Sequence, residues 1–246
     1  MSTDLQPAPI EVFGLPPVWG VPAPSPFTLK LLTWLRMAGI PHRPVTLTRP
    51  PASATGKIPY VRLPDGRILH DSTLIVDTLT AERGVDLDHG LSASERATGH
   101  MVARMLEDHL YFCCLVERWI TDAGYARTSR DYFAHLPPPL RWLMPVILRR
   151  RIRAYLHGQG LGRHPPDTVA QFGRADLAAL SSLLHGRDFL VGRPSSYDAV
   201  TFGFLWAISA HPFSSALAEA IRADGVLVAY RERVRERWWG DWADSR

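Results

Sequence analysis

The first 82 residues restrict the fold most, because short apolar runs and amphipathic stretches alternate there in a fixed order. Ile10–Gly14 is apolar and ends on glycine, the pattern of a buried strand. A proline-rich loop, Leu15 to Pro24, follows. Ser25-Pro26 then opens a helix, since serine is a favoured N-cap and proline's fixed φ suits the first helical position. Phe27, Leu31, Leu32, Leu35 and Met37 lie at helical spacing, and Gly39 supplies the stop. Pro41 to Thr48 reads as a second strand, and a strand–helix–strand unit of this size pairs its strands in parallel. Ile58–Leu63 and Arg67–Leu69 flank Pro64-Asp65-Gly66, which predicts a β-hairpin. Asp71-Ser72 ends it and starts an amphipathic helix from Thr73 to Glu82.

At 246 residues the chain can build a second core beyond this unit. The polar connector Val85–Leu91 places a boundary, with domains expected at 8–84 and 91–246. No strand pattern follows Ser92. One long helical stretch is predicted over Ser92–Ala123, then helices over Leu140–His157 (kinked near Pro145), Thr168–Leu184, Ser195/Ser196–Ala210 and Val226–Trp238. The expected fold class is therefore an α/β thioredoxin-like N-terminal domain plus an all-α C-terminal helical bundle.

A net charge of +4, nearly all from arginine, argues against a dedicated nucleic-acid binder; Lys30 and Lys57 are the only lysines. Cys113 and Cys114 are adjacent, a spacing unsuited to a mutual disulfide or a metal site, and read as free thiols in a reducing compartment. No His-x-x-x-His pair occurs, so no metal is expected. No apolar run approaches the ~20 residues of a membrane span. Met1–Pro9 lacks the basic start and apolar core of a signal peptide, and Met1–Ala8 reads as disordered. A cytoplasmic location is expected.

Several motifs carry a resemblance. Ile58-Pro59 precedes the third strand, Asp71-Ser72 lies twelve residues on, and Pro194-Ser195-Ser196-Tyr197-Asp198 matches a Ser/Thr-x-x-Asp helix start. Together they resemble the glutathione S-transferases. Ser25-Pro26-Phe27-Thr28-Leu29-Lys30, Trp34-Leu35-Arg36-Met37-Ala38-Gly39, Lys57-Ile58-Pro59-Tyr60 and Gly158–His164 are similar to a bacterial branch related to metaxins and failed-axon-connections proteins. The resemblance implies a cis peptide at Pro59, with the Ile58 backbone offered to the cysteine of glutathione, and a γ-glutamyl grip from Asp71 and Ser72. It implies glutathione as co-substrate, a small hydrophobic electrophile as second substrate, and a possible homodimer. It also implies Ser195 as a helix cap with Asp198 as its partner. Fold alone does not decide activity, because metaxin-type relatives include non-enzymatic members.

The chemistry asked of such a site is to hold glutathione as a thiolate, since a free thiol titrates near pH ~8.5. A helix N-terminus and a donated hydroxyl both favour the anion. Ser25 is placed for the hydroxyl role; its alternative role is an N-cap alone. Ser25-Pro26-Phe27-Thr28 puts hydroxyls at both cysteine positions of a redox Cys-Pro-x-Cys motif, which excludes mixed-disulfide chemistry there. Lys57, Ile58, Pro59, Asp71 and Ser72 are the candidate substrate-binding residues of the N-terminal domain. Tyr111 and Trp119, with Tyr125, either line an apolar pocket or pack the core. Arg149, Arg150, Arg151 and Arg153 either meet an anionic lipid or acidic partner or form a solvated face.

Overall fold

The structure, a computed structural model, describes residues 8–49 and 51–242. The expectation of disorder over Met1–Ala8 therefore falls, except for Ala8, outside the described residues. Four strands form one mixed sheet in the order β2-β1-β3-β4. β1 (Ile10–Gly14) pairs in parallel with β2 (His42–Thr46) and antiparallel with β3 (Tyr60–Arg62), which pairs antiparallel with β4 (Ile68–His70). The crossover between β1 and β2 is α1 (Pro26–Met37), and α2 (Ser72–Arg83) follows β4.

After Gly84, whose left-handed φ of 66° ends α2, every regular element among the described residues is helical. The helices are α3 (Ala93–Met105), α4 (Tyr111–Trp119), α5 (Asp122–Tyr132), α6 (Leu140–Gln159), α7 (Pro166–Leu184), α8 (Ser196–Ser209), α9 (Ala216–Ala223) and α10 (Gly225–Trp239).

The most extensive contact between the sheet unit and the helices is that of α1 with α8. Leu29, Leu31, Leu32, Trp34 and Leu35 are all buried, and so are the polar Thr28, Lys30 and Thr33. A helix buried on every side is what two apolar faces require. Gly203 on α8 makes the crossing possible, because a Cβ there would lie 2.6 Å from the Lys30 backbone nitrogen and 3.0 Å from the Pro26 carbonyl oxygen.

The long helix expected over Ser92–Ala123 is broken twice. A π-helical turn over Leu106–Leu110 separates α3 from α4. The chain then stops at Ile120, and Thr121 starts α5 by accepting the Gly124 N–H at 3.2 Å while donating to the Glu117 carbonyl at 2.6 Å. Helices α5 and α9 have no counterpart in the sequence reading. α5 is mostly polar, and α9 is a short helix capped by Ser215, which accepts the Ala218 N–H at 3.1 Å.

At the start of α8, Ser195 occupies the N-cap position, but the Asp198 carboxylate is the hub. It accepts from the Ser195 N–H and hydroxyl (both 2.9 Å), the Leu190 N–H (2.9 Å) and the Tyr230 hydroxyl (2.7 Å). Burial pushes this carboxyl's pKa up against the pull of those four bonds.

Candidate functional site

The strand register decides where the candidate residues meet. Phe13 pairs with Tyr60, and Tyr60 with His70, so these three stand side by side at one end of the sheet. Beyond that end come Gly14 and the loop into Ser25, Ile58-Pro59 before Tyr60, and Asp71-Ser72 after His70. Thr28, in the first turn of α1, packs on Gly14 so closely that a Cβ there would meet its methyl at 3.1 Å. Three segments far apart in sequence thus converge at one sheet end. One of the two non-glycine residues with positive φ among the described residues stands at this end, Asp71 (70°); the other, Trp19 (59°), lies in the loop between β1 and α1 and packs on Tyr132 and His211.

Ser25 has extended backbone angles at the N-cap of α1, yet its side chain makes no capping bond. The first intrahelical bond runs from the Leu29 N–H to the Ser25 carbonyl at 3.0 Å. Pro26 has no N–H, so the amides of Phe27 and Thr28 lack an intrahelical acceptor. The Thr28 hydroxyl is buried without a partner. An uncommitted hydroxyl and two amides without an intrahelical acceptor at a helix N-terminus are groups that can hydrogen-bond an anion.

The Ile58-Pro59 peptide is cis, as the resemblance implied. Lys57 is exposed; its carbonyl accepts the Ser53 hydroxyl at 2.7 Å, and its ammonium lies 5.3 Å from the centre of the Tyr155 ring on α6. Asp71 caps α2, one carboxylate oxygen accepting from the Thr73 N–H (2.9 Å) and the Leu74 N–H (3.3 Å). Its backbone, at φ 70° and ψ 121°, lies outside the left-handed well, a strain of order ~1–3 kcal/mol that the two cap bonds oppose. Ser72 is buried at the first position of α2.

Tyr111 and Trp119 part company. The Tyr111 ring meets Phe27 edge-on at 4.9 Å, which brings it to the start of α1. Burial is the largest cause raising its hydroxyl pKa, so the phenol keeps its proton. Phe112 packs beside it and against Tyr155, at 5.6 and 5.1 Å, continuing one aromatic wall. Trp119 lies two turns further along α4, 3% exposed among Tyr125, Tyr132 and Phe133, and is core. Arg149 does not face solvent as the arginine run suggested. It donates to the Trp119 and Ile120 carbonyls at 2.9 and 3.0 Å, closing the end of α4, and covers the Tyr125 ring. Cys113 and Cys114 are free and buried, their pKa values pushed by burial up to about 12 and about 11.

Two clusters that sequence reasoning did not single out support the site. In the first, Lys30 is buried and donates to Glu107 on the π turn at 2.6 Å and to the Thr73 hydroxyl at 2.8 Å. One ammonium therefore ties α1, the start of α2 and the π turn together. Glu107 is also bonded by Arg104. The visible signal was a lysine set between Leu29 and Leu31 in a mostly apolar helix.

In the second cluster, Arg118 is buried on α4 and donates to the Pro24 carbonyl (2.8 Å), the Ala207 carbonyl (2.9 Å) and His211 Nε2 (2.6 Å). Arginine can only donate, so Nε2 accepts and the ring proton sits on Nδ1, facing the Ser215 oxygen at 3.1 Å. Ser215 then donates to Glu117 at 2.5 Å. This chain fixes the residue immediately before Ser25. Burial, then the charges of Arg118 and Arg222, hold the His211 pKa well below its ordinary value.

Sheet order, the sheet end beside α1 and the helical half define a two-part fold shared with known proteins. Residues 26–124 match the glutathione S-transferase N-terminal domain, and residues 173–234 the glutathione S-transferase C-terminal domain. The chain is 33% identical over 237 residues to the isoprene-epoxide glutathione S-transferase of Rhodococcus sp. strain AD45, covering 93% of this chain and 99% of that protein. It is 27% identical to Drosophila melanogaster failed axon connections over 90% of this chain and 56% of that one. It is 28% identical to Sus scrofa metaxin-1 over 80% of this chain and 65% of that one. A Phanerochaete chrysosporium glutathione transferase superposes with a TM-score of 0.65 at 17% identity, covering 93% of this chain and 97% of that one. The protein belongs to the glutathione S-transferase family, in a part of it that also includes metaxin-like proteins.

Proposed function

We propose that the protein binds glutathione at the sheet end described above and conjugates its sulfur to a small hydrophobic electrophile. The observation that carries this reading is the Ser25 hydroxyl, left uncommitted at the N-terminus of a buried helix beside two free amides. Residues 8–84 supply the peptide site and 91–246 most of the electrophile wall. The Ile58 backbone meets the cysteinyl part of glutathione, and Asp71 and Ser72 take the γ-glutamyl end. Ser72 adds a hydroxyl at a second helix N-terminus, which suits a carboxylate. Ser25 and the α1 amides stabilise the thiolate, and Phe27, Tyr111, Phe112 and Tyr155 shape the electrophile pocket, with Lys57 at its rim.

The thiolate attacks the electrophilic carbon, a C–S bond forms, and the leaving bond takes its electron pair to the departing atom. For an epoxide that atom is oxygen, and the protonated Tyr111 hydroxyl is a suitable donor to it. An epoxide is the first electrophile to try because the relative from Rhodococcus is named for one. A homodimer, a cytoplasmic location and a detoxifying role complete the proposal. The competing reading is a non-catalytic binding or scaffold protein, which the similarity to metaxin-1 supports.

Calorimetric titration with glutathione, followed by a panel of small epoxides and aryl halides, separates the two. Saturable binding with conjugate formation supports the enzyme. Binding without turnover across the panel favours the scaffold, and absence of binding overturns the glutathione site.

A further inference from the structure

Helix α6 carries apolar residues on two opposite sides. Its inner side, with Pro145, Leu148, Ile152 and Leu156, packs on the core. Its outer side exposes Leu140 (43%), Trp142 (64%), Leu143 (51%), Val146 (59%) and Ile147 (37%). Most of the other large exposed apolar residues are scattered singly along the chain. The 143–147–150–154 spacing continues the outer stripe from Leu143 and Ile147 to Arg150, and Arg151 and Arg153 flank it. These three arginines are exposed and form no ion pair among the described residues. From Tyr132 to Pro166 the sequence contains six arginines and no aspartate or glutamate. The carboxylate that reaches α6, Asp122, approaches Arg149 at 3.6 Å and leaves the other three unneutralised.

We propose that the outer face of α6 is a docking surface for an anionic lipid bilayer, on which the protein seats peripherally. Leu140, Trp142, Leu143, Val146 and Ile147 enter the headgroup–acyl boundary, and Arg150, Arg151 and Arg153 meet lipid phosphates. An exposed apolar stripe flanked by cations, with a tryptophan at its edge, has the chemistry of a helix lying in the membrane plane. Among the described residues no helix is long and apolar enough to cross a membrane, so the contact is interfacial. Charge favours lipid over a second copy of the chain: a parallel symmetric pairing through this face would set the same arginines against each other, and an antiparallel one would lay them on the partner's apolar end. The surface lies on the helix that also carries Tyr155, and it stands whether or not the sheet-end site is catalytic.

The test is flotation of the full chain with phosphatidylcholine vesicles, with and without phosphatidylglycerol. Thermal melting and glutathione titration serve as controls for fold. Binding is expected only to the anionic vesicles, weakening as salt rises. Arg150→Gln/Arg151→Gln should lower the partition coefficient about 25-fold, roughly five-fold per arginine. Trp142→Ser should lower it and abolish any blue shift of tryptophan emission. No flotation with anionic vesicles, equal flotation with neutral ones, or unchanged flotation of both variants overturns the proposal. So does a Trp142-dependent loss of oligomer mass, or Trp142-dependent binding to polyglutamate, without vesicle binding; these would assign the face to a second copy or an acidic protein.

Discussion

Gly203→Ala tests whether the close α1–α8 crossing positions the site. The added methyl would stand 2.6 Å from the Lys30 backbone nitrogen and 3.0 Å from both the Lys30 Cα and the Pro26 carbonyl oxygen. Ordinary contact needs ~3.5–4.0 Å, so the helices must part by about 1 Å. The neighbours are backbone atoms, which cannot rotate away as a side-chain tip would. Overpacking of this kind costs about 3 kcal/mol, at the upper end of the usual range, and alanine's helix propensity returns ~1 kcal/mol. The net loss of ~2 kcal/mol corresponds to a Tm fall of about 4–8 °C for a chain of this size. The displaced part is the first turn of α1, where Ser25 begins, and a shift of that size at a reacting group can cost up to ~100-fold in rate. Gly158→Ala on α6 is the control, since nothing lies within 4 Å of its added carbon. It should leave stability unchanged or raise it by up to ~1 kcal/mol. Melting curves and conjugation rates for both variants decide the matter. A Gly203→Ala protein as stable and active as its parent would refute the reasoning.

Two further predictions concern the supporting clusters. Unfolded His211 takes a proton near pH ~6.5, but folded His211 resists it to well below that value. The unfolded state therefore binds more protons as pH drops below ~6.5, and stability should fall by up to ~1.4 kcal/mol per pH unit from this residue. The raised carboxyls of Glu117 and Asp198 act in the opposite sense. His211→Gln keeps an acceptor for Arg118 and a donor for Ser215, and should flatten the acid limb in pH-dependent denaturant titrations. Lys30→Met leaves the buried Glu107 with Arg104 as its remaining cationic partner and should destabilise by about 1.5–3 kcal/mol. Lys30→Met/Glu107→Leu should recover most of that loss, while KM for glutathione stays raised because Thr73 no longer receives the Lys30 bond. Full recovery of KM in the double variant would reduce the pair to a structural role.

The N-terminal half was legible because each of its elements carries local punctuation. Gly14, Ser25-Pro26, Gly39, the Pro64-Asp65-Gly66 turn and Asp71 each mark a boundary, and strand and helix ends fell within a residue or two of those marks. The helical half gave less. No glycine or proline announces the π turn at Leu106–Leu110, and the α4–α5 break depends on Thr121 closing back on Glu117. In the site, motif residues were visible because chain order placed them near strand ends. The support was not: Arg118 reaches Pro24 across 94 residues, and Lys30 reaches Glu107 across 77. Trp119 shows the opposite failure. An aromatic residue on a helix can face inward or outward, and only packing shows that Trp119 faces the core.

The most direct measurement is an ultraviolet pH titration of bound glutathione, in which the thiolate absorbs and the thiol does not. Free thiols of this kind titrate near pH ~8.5. If Ser25 and the free amides of α1 hold the anion, the wild-type complex should titrate well below that value. Ser25→Ala should move the bound pKa back toward it, with a proportionate loss of kcat near neutral pH and little change in glutathione affinity. Because the Ser25 side chain makes no cap bond, the same substitution should leave Tm nearly unchanged, against the ~1 kcal/mol lost when a working serine cap is removed. Bound glutathione that titrates like the free tripeptide in the wild-type protein would contradict the account.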